Sequence, residues 1–239
     1  MLVILTGAGI SKESGLDTFR DAGGLWQKVS MEDVATPEGF ARDPDGVHAF
    51  HNSLRKTLLS ESIAPNAAHL ALGRLEKESA EPVLLITQNI DNLHERGGSK
   101  AVLHMHGELL QARCTRCRKV FPWLSDLFTA DPCPECSATG TLRPNIVWFG
   151  EVPFFMDEIS QALSRCSTFV SIGTSGNVYP AANFCVLARQ GGARLVELNL
   201  EPSNLARVFN ESHYGPATRI VPEWVESVLK SGAPGKDGI

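Results

Sequence analysis

No stretch of this 239-residue chain stays apolar for the ~18–20 residues that cross a bilayer. It also lacks a basic excess: 22 Lys and Arg stand against 27 Asp and Glu, a formal net charge of −5. Nonspecific nucleic-acid binding needs a basic surface, so that class is disfavoured. Met1 leads straight into Leu2–Leu5 with neither a basic leader nor a cleavage site, so no secretory signal is expected. Internal repeats are missing. Six cysteines are too few for a disulfide scaffold at this length, and four of them form two Cys-x-x-Cys pairs. A reducing cytoplasm is the expected compartment. What is present is ordinary for a soluble enzyme, 43% hydrophobic and 21% charged. The length allows one sizeable core and one small appended module.

Short β-branched runs bounded by turn signals read as strands at Leu2–Leu5, Val83–Thr87, Val102–Met105, Ile146–Phe149, Phe169–Ile172, Leu195–Leu198 and Arg219–Val221. Helical stretches lie between many of them, at Asn66–Glu78, Met156–Arg165 and Ala181–Gln190. Alternation of helices with nearly continuous apolar strands predicts an α/β fold, a doubly wound, mostly parallel Rossmann-like sheet. Residues 28–65 read as a helical insertion, opening at the start signal Thr36-Pro37-Glu38. Residues 112–142, poor in strand signal, read as a small inserted module around the cysteines. The nucleotide-binding domain is therefore expected to be discontinuous, over 1–27, 66–111 and 143–230, with 231–239 a flexible tail.

The first strand breaks into Thr6-Gly7-Ala8-Gly9-Ile10-Ser11, followed by Gly15, Phe19 and Arg20. Glycines let backbone approach a pyrophosphate, and the N–H groups of a helix start favour an anion. The third glycine of the usual dinucleotide fingerprint would fall at position 12, where Lys12 stands. Gly-x-Gly alone fits a tight strand-to-helix turn equally well. The cysteine spacing is more specific: Cys114-x-x-Cys117, fifteen residues, then Cys133-x-x-Cys136. Two such knuckles place four thiolates around one Zn²⁺ and outweigh a redox pair. With no further ligand or acidic base evident, the zinc is expected to be structural. Cys166 and Cys185 read as small buried hydrophobes.

After the second strand comes Thr87-Gln88-Asn89-Ile90-Asp91-Asn92-Leu93-His94. The C-terminal edge of a parallel strand is where an open sheet builds its ligand crevice, although Asn89 and Asp91 suit helix capping as well. His106-Gly107 ends the next strand. A histidine there is accessible and titrates near neutrality, as a general base requires. Satisfied structural roles are expected among His51, His69 and His213. Gly173-Thr174-Ser175-Gly176 and Asn199-Leu200-Glu201-Pro202 end two later strands and suit a ribose or adenine.

In order, Gly7-Ala8-Gly9-Ile10-Ser11, Ser14-Gly15, Phe19-Arg20, Thr87-Gln88-Asn89-Ile90-Asp91, His106-Gly107, the four cysteines, Val147-Trp148-Phe149-Gly150-Glu151, Gly173-Thr174-Ser175 and Asn199 resemble the sirtuins. These are NAD-dependent protein lysine deacylases. Ala22-Gly23-Gly24-Leu25-Trp26 and Ala35-Thr36-Pro37 resemble the bacterial CobB-type branch, shared by the mitochondrial desuccinylase. The resemblance implies that Gly7, Ala8, Gly9 and Ser11 hold the NAD pyrophosphate, with Phe19 and Arg20 over the nicotinamide ribose. It implies that Gln88, Asn89 and Asp91 order the nicotinamide end for catalysis, and that His106 deprotonates a ribose hydroxyl. Gly173, Thr174, Ser175, Asn199 and Glu201 would bind the adenosine half, helped by the backbone near Ala217. Val147, Phe149, Gly150 and Glu151 would pair with an acyl-lysine peptide as an added strand. The products implied are free lysine, nicotinamide and O-acyl-ADP-ribose. The partners implied are acyl-lysine peptides and proteins; neither a membrane nor direct nucleic-acid binding is expected, and the chain is expected to be a monomer.

One departure bears on specificity. Desuccinylating relatives carry a Tyr-x-x-Arg pair that binds the acidic acyl group; aligned from Phe50 to Arg55, those positions here are His51 and Leu54. Arg55 is one residue over, rotated by about 100°. Val47, Phe50, Leu54 and Leu58 also form the apolar stripe of a core-packed helix, and such a stripe can wall an acyl tunnel. Acetyl and other neutral short acyl groups are expected over succinyl or malonyl, unless a protonated His51 attracts the acid. The competing readings are a sirtuin-like ADP-ribosyltransferase, a zinc-ribbon nucleic-acid binder, and a hydride-transfer Rossmann enzyme disfavoured by the missing third glycine.

Overall fold

The structure, a computed structural model, describes residues 1–18 and 29–231. Phe19, Arg20, the Ala22–Trp26 motif and the expected tail beyond 231 lie outside the described residues. The strands are β1 (Leu2–Thr6), β2 (Val83–Thr87), β3 (Val102–His104), β4 (Gly107–Cys114), β5 (Val120–Pro122), β6 (Leu142–Ile146), β7 (Thr168–Ile172), β8 (Arg194–Asn199) and β9 (Glu211–Tyr214). The α-helices are α1 (Met31–Val34), α2 (Pro37–Arg42), α3 (Pro44–Leu58), α4 (Ala67–Glu78), α5 (Leu93–Arg96), α6 (Met156–Leu163), α7 (Phe184–Gln190) and α8 (Ala217–Ser231).

A six-stranded parallel sheet has the order β3-β2-β1-β7-β8-β9. The chain starts at the centre, winds outward on one side, then returns to β7 beside β1. The switch point where ligands bind such sheets thus lies between β1 and β7. Central β1 is buried throughout, because its side chains alternate between two cores. Leu2 and Ile4 pack with Leu72 and Leu75 of α4 and Val221 and Trp224 of α8. Val3 and Leu5 pack with Ile159 and Leu163 of α6 and Phe184 and Ala188 of α7. Helices cover both faces, which is why these strands read as continuous apolar runs.

α4 starts where the sequence signals it. The Asn66 side chain accepts from the Ala68 N–H at 2.9 Å, and His69 Nδ1 accepts from the Asn66 N–H at 3.3 Å, a capping box with histidine in the place of glutamate. Other expectations shift. The run at Ile146–Phe149 leaves the sheet at Ile146, because the Val147 N–H bonds to His106 O and the Phe149 N–H to Ala35 O. Arg219–Val221 is not a strand but part of α8, where Ile220, Val221, Trp224 and Val225 form its buried face. Edge strand β9 has no apolar run and is largely exposed, so periodicity gave no sign of it. Ala181–Gln190 divides into a 3₁₀ turn and α7. The opening motif leads into two 3₁₀ turns, Ala8–Ile10 and Lys12–Ser14, rather than an α-helix.

A second sheet, β5-β4-β6, is antiparallel. Strand β4 runs through position 112 to Cys114, so one strand starts at the residue after His106 and ends in the cysteine knuckles. The junction depends on Gly107, whose φ is +80° and whose Cβ would lie 2.0 Å from Asn145 O. Gly107→Ala should therefore destabilise the protein by about 2–4 kcal/mol, from left-handed strain and forced separation of β4 from β6. Urea unfolding checks this; a midpoint equal to wild type would contradict it.

Candidate active site and metal centre

The turns after β1, β2, β7 and β8 enclose a cleft of about 970 Å³ at the switch point, at the upper end of ligand-pocket sizes and roomy enough for a dinucleotide. At its throat two turns meet backbone to backbone. The Gly7 N–H donates to Ile172 O and the Gly9 N–H to Gly173 O, both at 3.0 Å. A Cβ on Gly9 would lie 2.8 Å from Gly173 Cα, and one on Gly173, at φ +62°, only 2.6 Å from Ile10 N. The opening glycines thus serve a contact within the protein, and the turns so joined form the cleft wall. Gly7, Ala8, Gly9, Gly173, Thr174, Ser175, Asn199, Glu201 and Ala217 all line it. Asn199 Nδ2 donates to Thr174 O at 2.9 Å, tying the turns after β7 and β8 together.

Beneath the floor runs a buried polar network. Asn89 lines the cleft and donates through Nδ2 to Gly7 O (3.2 Å) and Ser11 Oγ (3.1 Å). Ser11 Oγ donates to Asp91 Oδ2 at 3.0 Å, while Asp91 Oδ1 accepts from the Leu93 N–H at 3.0 Å. Asp91, one residue before the N-cap Asn92, therefore holds the first N–H of α5 and also Ser11. Neither Ser11 nor Asp91 is among the cleft-lining residues; both sit one layer behind. Burial raises the Asp91 pKa above the ordinary carboxylate value. His69 Nδ1 accepts from Asn66, so Nε2 carries the hydrogen, 3.4 Å from Ser11 Oγ. Burial pushes its pKa down to about 4.

His106 reaches the same cleft beside Gln88. Its Nδ1 lies 3.0 Å from Gln88 O. A carbonyl only accepts, so Nδ1 is the donor and Nε2 keeps a lone pair. Burial lowers the pKa below the usual histidine value, with the Gln88 bond opposing. The ring is therefore neutral near pH 7 and has the protonation state of a general base. Behind it, His104 lies 3.3 Å from Asn89 O through Nδ1 and 2.8 Å from Glu95 Oε1 through Nε2. Burial depresses the His104 pKa, but the Glu95 carboxylate outweighs it and the net shift is upward.

Next to His106, whose carbonyl accepts from the Val147 N–H, Val147, Phe149, Gly150 and Glu151 also line the cleft. The Glu151 carboxylate is committed within the protein: Arg143 binds it at 2.7 and 3.0 Å, Arg113 at 3.0 Å and the Trp148 N–H at 2.8 Å. Glu151 anchors the turn. The Val147 N–H is taken by His106 O and the Phe149 N–H by Ala35 O, and Trp148 O accepts from the Glu151 N–H at 3.0 Å. From α3, His51 and Leu54 line the cleft with Phe50, while Val47 and Leu58 bury in the core. The apolar stripe thus both packs and walls. His51 Nδ1 lies 2.8 Å from Val47 O, and burial pushes its pKa down to about 4. Arg55 is not a cleft-lining residue; it is buried, donating to Leu109 O at 3.3 Å and Asn52 Oδ1 at 2.6 Å. Sequence reasoning missed the lining residues Ile90, Asn177 and Tyr179.

The four knuckle cysteines lie with their sulfurs within 4.8 Å of one another. Cys114 and Cys136 sulfurs are 3.8 Å apart, Cys117 and Cys133 3.6 Å. A tetrahedral Zn²⁺ with Zn–S bonds of about 2.3 Å has S···S edges of about 3.8 Å, and the cysteines are free of disulfides. Both knuckles close alike, the Arg118 N–H on Cys114 O and the Ser137 N–H on Cys133 O, with Arg118 and Ser137 at φ 63° and 56°. The donor set fits one structural zinc. Cys166 and Cys185 are buried thiols, as expected.

Cys133→Ser should lower bound zinc below one per chain and lower the urea midpoint; full zinc occupancy in the purified variant would contradict the assignment. Acid should destabilise the fold through the buried imidazoles. Unfolded His51 and His69 take up protons near pH 6.5, the folded ones only near pH 4. Between these values the unfolded state binds more protons, so stability is fully present above about pH 6.5 and falls toward pH 4. Urea midpoints measured from about pH 7 to pH 4.5 check it, and a flat profile contradicts it.

The Sir2 family profile matches residues 7–180. The NAD-dependent protein deacylase of Pasteurella multocida (strain Pm70) is 55% identical over 228 residues, 95% of this chain and 97% of that protein. The NAD-dependent protein deacylase of Escherichia coli (strain K12) is 55% identical over 229 residues, 96% of this chain and 82% of that protein. Among solved structures, a Sir2 homolog–NAD complex superposes with TM-score 0.87 at 37% identity, covering 97% of this chain and 90% of its own. With that fold, those motifs and these relatives, the chain belongs to the Sir2 family.

Proposed function

We propose that this chain is an NAD-dependent protein lysine deacylase that removes acetyl and other neutral short acyl groups, releasing nicotinamide and O-acyl-ADP-ribose. The observation that carries this reading is His106, held through Nδ1 by Gln88 O with Nε2 free to accept a proton, on the same cleft as Asn89 and the joined glycine turns. In this reading Thr174, Ser175, Asn199, Glu201 and Ala217 hold the adenosine half, and Gly7–Gly9 flank the pyrophosphate. Asn89 meets the nicotinamide end, oriented by Ser11 and Asp91 from behind. NAD, when bound, supplies a ribose carbon made electrophilic by loss of nicotinamide. His106 accepts the ribose hydroxyl proton at Nε2. Glu151 holds the turn that receives the peptide. Relatives named as NAD-dependent protein deacylases support the same activity. Free thiols and a thiolate-type metal site suit a reducing compartment, so a cytoplasmic location is proposed; no described helix is long and apolar enough to cross a membrane.

The preference for neutral acyl groups follows from the pocket's charge. His51 is neutral near pH 7, Leu54 is apolar, and Arg55 is engaged elsewhere. A succinyl carboxylate there would meet no cation from these three positions, a loss of about 2–5 kcal/mol relative to a paired site. Mass spectrometry of reactions with NAD and acetyl-, butyryl- and succinyl-lysine peptides tests both points. Acetyl and butyryl peptides should yield O-acyl-ADP-ribose, with kcat/KM for succinyl at least about thirtyfold lower. His106→Ala should abolish turnover while leaving the unfolding transition in place, and Leu54→Arg should raise desuccinylation. Turnover retained in His106→Ala, or efficient desuccinylation by wild type, would overturn the respective claim.

A further inference from the structure

The cysteine-knuckle module is divided by charge. Residues 113–119 hold four cations, Arg113, Arg116, Arg118 and Lys119, and no acid. Residues 120–142 hold three acids, Asp126, Asp131 and Glu135, and no cation. Yet the two halves do not neutralise each other. Arg113 pairs with Glu151 at 3.0 Å, and Asp126 with Lys56 of α3 at 3.0 Å. Arg116, Arg118 and Lys119 form no ion pair among the described residues, and all three are exposed. A zinc tetrathiolate is itself anionic and attracts cations, but side chains serving it would fold onto the sulfurs, and these face solvent. Arg118 stands at φ 63°, where its N–H closes the first knuckle on Cys114 O at 2.9 Å. Glycine or asparagine takes that backbone more readily than arginine, so the turn presents its cation at a conformational cost.

The basic turn is continuous with the rim of the cleft. Arg113 pairs with Glu151, which lines the cleft, and faces Val120 across the β4–β5 pair. Residues 115–119 join those two strands, so the turn opens just beyond the Glu151 pair. Gly107, next to His106, lies at most about 20 Å from Arg113 along β4, at about 3.3 Å per residue. An extended segment of about six residues spans that distance. We propose that this turn anchors substrate proteins by an acidic segment, a run of Asp or Glu about six to eight residues from the acyl-lysine. The inference rests on the deacylase reading above and names a feature of its substrates. A short acidic run stays on the three cations. A nucleic acid is disfavoured, because its phosphate backbone would extend over the acidic half of the module and a chain of net charge −5. Exposed contacts of this kind act on encounter and KM rather than on the chemical step.

The test uses the purified wild-type chain, NAD and acetyl-lysine peptides that differ only in a short run of glutamates. The run is absent, about six to eight residues before the lysine, or the same distance after it. One acidic peptide should exceed the neutral one in kcat/KM by about threefold to thirtyfold, as three exposed ion pairs allow. The gain should lie in KM, with kcat unchanged, and should vanish at about 0.5 M NaCl. Arg116→Gln, Arg118→Gly and Lys119→Gln together should bring the acidic-to-neutral ratio close to one and leave the neutral peptide's kcat/KM unchanged. If that triple variant does not fold, Arg118→Gly alone, which eases the turn, should lose about a third of the gain on a logarithmic scale. Acidic peptides no better than the neutral one, or a gain untouched by the substitutions, would overturn the inference and leave the deacylase reading intact. No turnover of any peptide would overturn both. A fluorescent single-stranded oligonucleotide should not bind at physiological salt; submicromolar binding that the triple variant loses would overturn the inference in favour of nucleic acid.

Discussion

The contact between the turns after β1 and β7 sets where every other part of the site can stand. Gly9 donates to Gly173 O at 3.0 Å, and neither turn has room for a Cβ toward its partner. That approach closes the switch point of a parallel sheet whose β1 is packed on both faces by separate cores. Two rigid layers fix the strand ends, and the strand ends fix the turns. A wider gap there would move Asn89 as well, because Asn89 bonds to Gly7 O and to Ser11. The polar network under the cleft is thus referenced to the same backbone contact.

A second constraint enters through β4. One strand carries the residue after His106 at its start and Cys114 at its end, paired with β6 along most of its length. The knuckle end of β4 pairs with β6 from Ala112 to Cys114, and after an irregularity the pairing resumes at Gly107 and Glu108 beside His106. A metal that orders the knuckles therefore also fixes the β4–β6 pairing next to them. The turn leaving β6 is held in turn by Glu151 between Arg143 and Arg113. Burial opposes ionisation of that carboxylate, but the two guanidiniums outweigh it and keep its pKa low. The residue singled out in the sequence for substrate binding is thereby spent on shaping the wall.

The α3 wall of the cleft shows how one helix serves two purposes. Along α3, Val47 and Leu58 face the core, Phe50 and Leu54 lie at its margin, and His51 is turned inward on a backbone hydrogen bond. Charge is kept away by different means at each position: burial neutralises His51, and the helix rotates Arg55 into a backbone carbonyl. In the proposed reading this makes a pocket that takes neutral acyl groups and offers an acidic one no cation from these positions.

The sequence by itself determined the fold class, because apolar runs buried on both faces and separated by helical periods admit little besides a doubly wound parallel sheet. It determined the metal centre too, since a Cys-x-x-Cys spacing is a local constraint on backbone reach. Local signals likewise placed the start of α4 at Asn66 and the polar strand ends at Gln88–Asp91 and His106. Pattern failed where a segment's state is decided by partners remote in the chain. Edge strand β9 carries no apolar signature, and the apolar Arg219–Val221 run joins a helix because α4 offers it a face to cover. Only the tertiary structure decided that Asp91 and Ser11 stand behind the cleft, that Glu151 is consumed by arginines, and that His51 is a neutral acceptor. Protonation state and free valence belong to the surroundings of a side chain, and those surroundings join segments as far apart in the chain as Ser11 and Asp91.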